Sequence, residues 1–148
     1  MGNSALQPGK GRRIMIIEDE GDILFTFKDY MRSKGFIVTD SAPTADEALE
    51  AFEASLPDIV VMDYRLPGKL NGLQAAEQIL RKHPYAKILI VTGHEQASEE
   101  LASNEFFEDK KIGILVKPVQ LSKIARLIDT LDQAPVAVLE ERGSKAAE

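Results

Sequence analysis

The sequence predicts an α/β protein: a doubly wound, five-stranded parallel sheet with five helices packed on its two faces. Three observations carry this expectation. First, five short apolar runs recur along the chain, at residues 14–17, 36–38, 59–62, 88–91 and 112–116. Second, four of these runs are continuous instead of alternating. Strands buried on both faces have that pattern, and it points to a parallel sheet covered by helices. Third, the segments between them carry helical periodicity. Repeated β-α alternation with right-handed crossovers places helices on both sides of one sheet. Leu, Ile, Val and Phe make up more than a quarter of the 148 residues, above the level of disordered chains, and the length suits one domain.

The elements follow in order. Ile14-Met15-Ile16-Ile17 is the first strand. Ile23, Leu24, Phe27, Tyr30 and Met31 then form one stripe of a first helix, with Gly35 after it as a C-terminal stop. Phe36-Ile37-Val38 is short and weak and is expected at a sheet edge. Thr44-Ala45-Asp46-Glu47 has the spacing of a capping box and is expected to open a second helix carrying Ala48, Leu49 and Phe52, ending before Pro57. The third strand runs into Asp63. Asn71-Gly72 opens a third helix with Leu73, Ala76, Ile79 and Leu80, stopped by Pro84. His83 is expected to cap that helix end. A fourth, less regular helix is expected over residues 95–110, and a fifth on Leu121, Ile124, Ile128 and Leu131.

Residues 1–11 read as a flexible arm made basic by Lys10 and the adjoining Arg12 and Arg13. Residues 12–133 read as the folded domain and 134–148 as a flexible tail, in which Val136, Val138 and Leu139 are the apolar members. The chain has no cysteine and two histidines, which removes disulfides, thiolate catalysis and Cys- or His-rich zinc sites. The net charge of −6 argues against nucleic-acid binding by the folded body. No apolar run reaches the ~18 residues of a membrane span, and no secretory h-region opens the chain. The protein is therefore read as soluble and cytoplasmic, without membrane insertion. Gly9-Lys10-Gly11 precedes the first strand and Gly68-Lys69 is followed by Leu70, so neither is a P-loop.

Ligand sites in doubly wound sheets lie at the carboxyl ends of the strands. Those ends carry Glu18-Asp19-Glu20 after the first strand, Asp63 after the third, Thr92-Gly93 after the fourth and Lys117-Pro118 after the fifth. Each has an ordinary reading alone. Acids complement a helix N-terminus, Thr is a common strand residue, and Lys closes strand ends. Asp63 is harder to dismiss, since a carboxylate ending so apolar a strand is costly without a partner. Together the four ends supply clustered carboxylates, a hydroxyl and an ammonium. Crowded hard oxygens suit Mg²⁺. A carboxylate nucleophile beside such an ion, with Lys and Thr to meet phosphoryl oxygens, makes a phosphoryl-transfer site.

These residues resemble the receiver domain of two-component response regulators, of the stand-alone kind seen in chemotaxis regulators. The resemblance covers residues 13–131 and rests on an ordered set of motifs: Ile17-Glu18-Asp19-Glu20, the stretch from Asp58 through Asp63 to Gly68, Asn71-Gly72, Val91-Thr92-Gly93 and Val116-Lys117-Pro118. It implies a flavodoxin-like receiver fold with strand order 2-1-3-4-5. It implies Asp63 as phospho-acceptor, Mg²⁺ bound by Glu18, Asp19, Asp63 and the Arg65 backbone carbonyl, and Thr92 and Lys117 on the phosphoryl group. It also implies a cis Lys117-Pro118 peptide that aims Lys117 inward. The partners implied are a sensor histidine kinase or a His phosphotransfer protein as donor, and a protein effector reading the face of the fourth and fifth helices. Two positions depart from the family pattern: Glu18 stands where Asp is commoner, and Ile114 stands where Tyr or Phe often serves as a rotamer switch. Arg65 and His94 occupy positions that tune dephosphorylation in the family, and as bulky basic groups they are expected to shield an acyl phosphate. Such a protein is a signalling acceptor and not an enzyme in the ordinary sense. The alternatives are a binding module of the same fold that works without phosphorylation, and an Asp-nucleophile phosphohydrolase. The second lacks an acid two residues after Asp63, where Arg65 stands.

Overall fold

Strand and helix alternate along the chain as the apolar pattern requires. A computed structural model describes residues 10–128 and the backbone of 136–138. In chain order the elements are β1 (Arg13–Ile17), α1 (Gly21–Ser33), β2 (Ile37–Val38), α2 (Ala48–Ser55), β3 (Ile59–Asp63), α3 (Gly72–Lys82), β4 (Lys87–Thr92), α4 (Gln96–Ser103), β5 (Lys111–Val116), α5 (Leu121–Leu127) and β6 (Val136–Val138). Short 3₁₀ turns at Ala45–Glu47 and Glu105–Phe107 precede α2 and follow α4. The strands are parallel and ordered β2-β1-β3-β4-β5-β6. The expected five strands in the order 2-1-3-4-5 are present, with β2 at one edge.

Side chains of successive strand residues point to opposite faces, and the core divides accordingly. Met15, Ile17, Val60, Met62, Ile88, Ile90, Ile112 and Ile114 pack with α2, α3 and α4. Ile14, Ile16, Ile59, Val61, Leu89, Val91 and Leu115 pack with α1 and α5. This is why the runs are apolar at every position: both faces are covered.

Several expectations are corrected. The sixth strand replaces part of the expected tail. Ile112, Gly113 and Ile114 of β5 pair in register with Val136, Ala137 and Val138. The cause is the open edge of β5, whose unpaired backbone groups accept a further extended segment, and a Val-Ala-Val triplet is suited to supply it. Gly11, assigned to the flexible arm, is tied down: its N–H donates to the Gly35 carbonyl at 3.0 Å. The Thr44 capping box does not form, and the chain enters α2 through the 3₁₀ turn instead. Asp46 is drawn elsewhere; its carboxylate accepts the N–H groups of Lys69 at 3.0 Å and Leu70 at 2.8 Å, in the loop after β3. A complete capping box stands at α3, where Gln74 N–H donates to Asn71 Oδ1 at 2.9 Å and Asn71 N–H to Gln74 Oε1 at 2.8 Å. The fourth helix is shorter than 95–110, ending at Ser103. Leu131 and residues 1–9 fall outside the described residues. Among the described residues no helix is long and apolar enough to cross a membrane.

Candidate functional site

β1, β3, β4 and β5 end at the same edge of the sheet, where β1 delivers Glu18 and Asp19 and each of the others delivers one expected residue. Glu18, Asp19 and Asp63 converge: one carboxylate oxygen of each lies within 4.8 Å of the others. Glu18 and Asp63 are half-buried and Asp19 is exposed. Burial pushes the Glu18 carboxyl above its usual range; its hydrogen bond from Glu20 N–H at 3.2 Å and the charge of Lys117 pull it down, and the charges of Asp63 and Asp19 push it up. Carboxylates crowded in this way repel, and hard oxygen donors on an open strand end fit a divalent cation such as Mg²⁺.

Lys117 lies across from this cluster, with Nζ 3.5 Å from Asp63 Oδ2. The Lys117-Pro118 peptide is cis, as the sequence resemblance implied. Backbone bonding holds the two neighbouring strand ends together, the Lys117 N–H donating to the Thr92 carbonyl at 2.7 Å. Thr92 is fully buried, and its Oγ1 accepts the His94 N–H at 3.0 Å. A hydroxyl that accepts still has its hydrogen to donate. Arg65 N–H approaches Asp63 Oδ1 at 3.4 Å, and the Arg65 side chain is exposed. Glu18, Asp63 and Lys117 rim a cleft of about 490 Å³ whose walls come from α1 and α5, with Ile23, Phe27 and Ile124 among them.

Four further residues, Gly72, Asn71, Asp46 and Tyr64, shape the loop and the packing behind the site, and sequence reasoning gave them no role there. Gly72 fits where no side chain can: a Cβ there would stand 2.3 Å from the Asp63 carbonyl oxygen, while its N–H donates to the Tyr64 carbonyl at 2.7 Å. Asn71 caps α3 beside it. Asp46 holds the β3–α3 loop, and a Cβ on Gly68 (φ +105°) would meet Asp46 Oδ1 at 2.8 Å. Tyr64 is buried behind Asp63, its hydroxyl donating to Glu100 Oε2 at 2.7 Å. Strand alternation was the signal that separated Tyr64 from Asp63, since consecutive residues face opposite sides. His83 does end α3, with its N–H on the Ile79 carbonyl, but its ring turns to α2, where Nε2 meets Glu53 Oε2 at 2.9 Å. His94 leans on the Tyr64 ring with centroids 6.2 Å apart.

Comparison with known proteins agrees with this architecture. The family model of the response regulator receiver domain matches residues 14–129. The chain belongs to that family. It is 28% identical over 123 residues to the chemotaxis protein CheY of Thermotoga maritima, covering 83% of this chain and 99% of that protein. It is 29% identical over 140 residues to the transcriptional regulatory protein PdtaR of Mycobacterium tuberculosis, covering 88% of this chain and 66% of the relative. Among solved structures, the response regulator TrrA of Thermotoga maritima, crystallised with Mg²⁺ and BeF, superposes with a TM-score of 0.68 at 27% identity, covering 81% of this chain and 98% of that one. A response regulator receiver protein of Sinorhizobium medicae superposes at 0.70 and 27% identity, covering 84% and 97%. The protein is a receiver domain of two-component signalling.

Proposed function

We propose that this receiver is a phosphorylation switch with Asp63 as its acceptor. The observation that carries the reading is the placement of Lys117 Nζ 3.5 Å from Asp63, which converges with Glu18 and Asp19 in a three-carboxylate cluster. A sensor histidine kinase or a His phosphotransfer protein supplies the phosphoryl group. The P–N bond to the donor imidazole breaks, its electron pair stays on nitrogen, and an Asp63 carboxylate oxygen forms the new P–O bond. Glu18, Asp19, Asp63 and the Arg65 carbonyl would hold Mg²⁺, which when bound neutralises charge on the transferring group. Lys117 gives up its pairing with Asp63 and serves as a point charge for a phosphoryl oxygen. Thr92 donates its hydroxyl hydrogen to another. The half-buried setting of Asp63 limits water around the acyl phosphate, and Arg65 and His94 narrow access further. Output is by protein–protein contact at the α4–α5 side, in the cytoplasm.

Intact-mass spectrometry after incubation with a small acyl-phosphate donor tests this. The expected result is one phosphoryl adduct that requires Mg²⁺, is lost with EDTA and is absent in Asp63→Asn. No adduct under any condition sinks the reading and favours a phosphorylation-independent binding module of the same fold.

A further inference from the structure

The acceptor and α4, the first half of the proposed output face, lie on opposite sides of the sheet. Asp63 shares its cleft with α1 and α5. The next residue, Tyr64, is packed with the α2–α4 core. Ile114 on β5 is fully buried there and offers no aromatic ring that turns. Tyr64 does offer one. Its ring is 7% exposed, and its hydroxyl bridges from the end of β3 to Glu100 on α4 at 2.7 Å, with Asn71 Nδ2 at 3.4 Å.

We infer that Tyr64 is a positioning residue that carries the state of Asp63 across the sheet to α4, with its hydrogen bond to Glu100 as the clamp that sets the helix's resting place. The inference rests on Asp63 as the acceptor. Burial and then the Glu100 carboxylate push the Tyr64 phenol up to about 12, so it remains a donor throughout the ordinary pH range.

The geometry gives α4 two handles that oppose each other. One is the segment from Thr92 to Glu95, which runs into the helix. Thr92 Oγ1 accepts the His94 N–H at 3.0 Å, so a phosphoryl group that draws the Thr92 hydroxyl pulls on His94 and the helix start. The other handle is the Tyr64–Glu100 bond, one turn inside the helix, which resists that pull. The His94 ring, against the Tyr64 ring, couples the two handles. α4 is suited to move. It has eight residues, no capping hydrogen bond from the Glu95 side chain to its first turn, and a Ser98 hydroxyl buried without a hydrogen-bond partner among the described residues. A seat that leaves a buried hydroxyl unsatisfied is held by a small margin. An element with two near-equal seats is what a ligand's differential affinity can shift.

The test uses the full chain, ¹⁵N amide spectra over Gln96–Ser103, and titration with Mg²⁺ and beryllofluoride as phosphoryl analogue. Tyr64→Phe removes the donor and keeps the ring; Glu100→Gln keeps an acceptor and removes its charge. In the free Tyr64→Phe protein the α4 amides are expected to move toward their analogue-bound wild-type positions. Its affinity for the analogue is expected to rise roughly fivefold, the lower end of common allosteric couplings, with Glu100→Gln between it and wild type. Adduct formation by Tyr64→Phe, read by mass, stays intact. Wild-type α4 amides and wild-type analogue affinity in Tyr64→Phe overturn the clamp while leaving the acceptor reading standing. A wild-type chain that takes no phosphoryl group and binds no analogue overturns the acceptor reading and the coupling with it.

Discussion

Replacing Gly72 with alanine tests how tightly the acceptor strand is built. The new Cβ would lie 2.3 Å from the Asp63 carbonyl oxygen, 3.0 Å from Tyr64 Cα and 3.1 Å from the Asp63 carbonyl carbon. Even a close C–H···O contact needs about 3.3 Å, so roughly 1 Å of overlap must be relieved. The atoms in the way are backbone at the end of β3 and cannot rotate aside. Overpacking of this kind costs ~1–3 kcal/mol. Parting the chains also stretches the Gly72–Tyr64 hydrogen bond of 2.7 Å, for ~1 kcal/mol more. Alanine's better helix propensity returns at most ~1 kcal/mol. The net expectation is a loss of ~1–4 kcal/mol, and at ~3–5 °C per kcal/mol for a chain of this size, a Tm lower by ~3–20 °C. Circular dichroism melting reads this directly. The rate of phosphoryl incorporation by mass should fall as well, because the strain is delivered to the Asp63 peptide. A Gly72→Ala protein that melts within ~2 °C of wild type would refute the contact geometry on which the site is described.

Other consequences can be measured alongside. Tyr64 is a buried acid whose value is raised from 10.0 to about 12, so its contribution is fully present below pH 10 and is lost as pH rises through 12. By linkage this amounts to ~3 kcal/mol across that window, and in Tyr64→Phe the alkaline fall in urea-unfolding free energy should be shallower by that amount. Arg65→Ala and His94→Ala should each shorten the lifetime of the Asp63 adduct after the donor is removed; unchanged decay in both rejects shielding by these side chains. A chain ending at residue 134 lacks β6 and leaves the outer edge of β5 unpaired, so it should associate more strongly with concentration in sedimentation. Equal behaviour of the two lengths would mean that β6 does not protect that edge.

Much of the architecture was legible because both faces of the sheet are buried. An aliphatic run such as Ile59-Val60-Val61-Met62 announces itself without reference to any partner. The strand-end residues were legible for a related reason: a charge such as Asp63 or Lys117 terminating such a run stands out against it. What escaped was set by tertiary competition. Thr44-Ala45-Asp46-Glu47 has a capping spacing, but the Glu47 N–H that the box needs goes to the Thr44 backbone carbonyl in the 3₁₀ turn, while two loop amides hold Asp46 in that turn. The partner of Tyr64 lies 36 positions away on α4, and no local pattern links them. The pairing of β6 depends on the exposed edge of β5, a property of the assembled sheet that three small apolar residues do not reveal.

The end of α3 nearest the acceptor also bears on how this protein ages. An asparagine followed by glycine is the pair at which polypeptides most readily lose ammonia, when the glycine nitrogen closes onto the asparagine side-chain carbonyl to form a succinimide. Here the Gly72 N–H donates to the Tyr64 carbonyl and the Asn71 side-chain oxygen Oδ1 accepts the Gln74 N–H. Ring closure requires both bonds to open and the first turn of the helix to unwind. The folded chain therefore keeps its most fragile dipeptide under guard, and deamidation at Asn71 accumulates in proportion to the time that turn spends open. Each such event would place an extra negative charge, and in the isoaspartyl product a lengthened backbone as well, eight residues from Asp63.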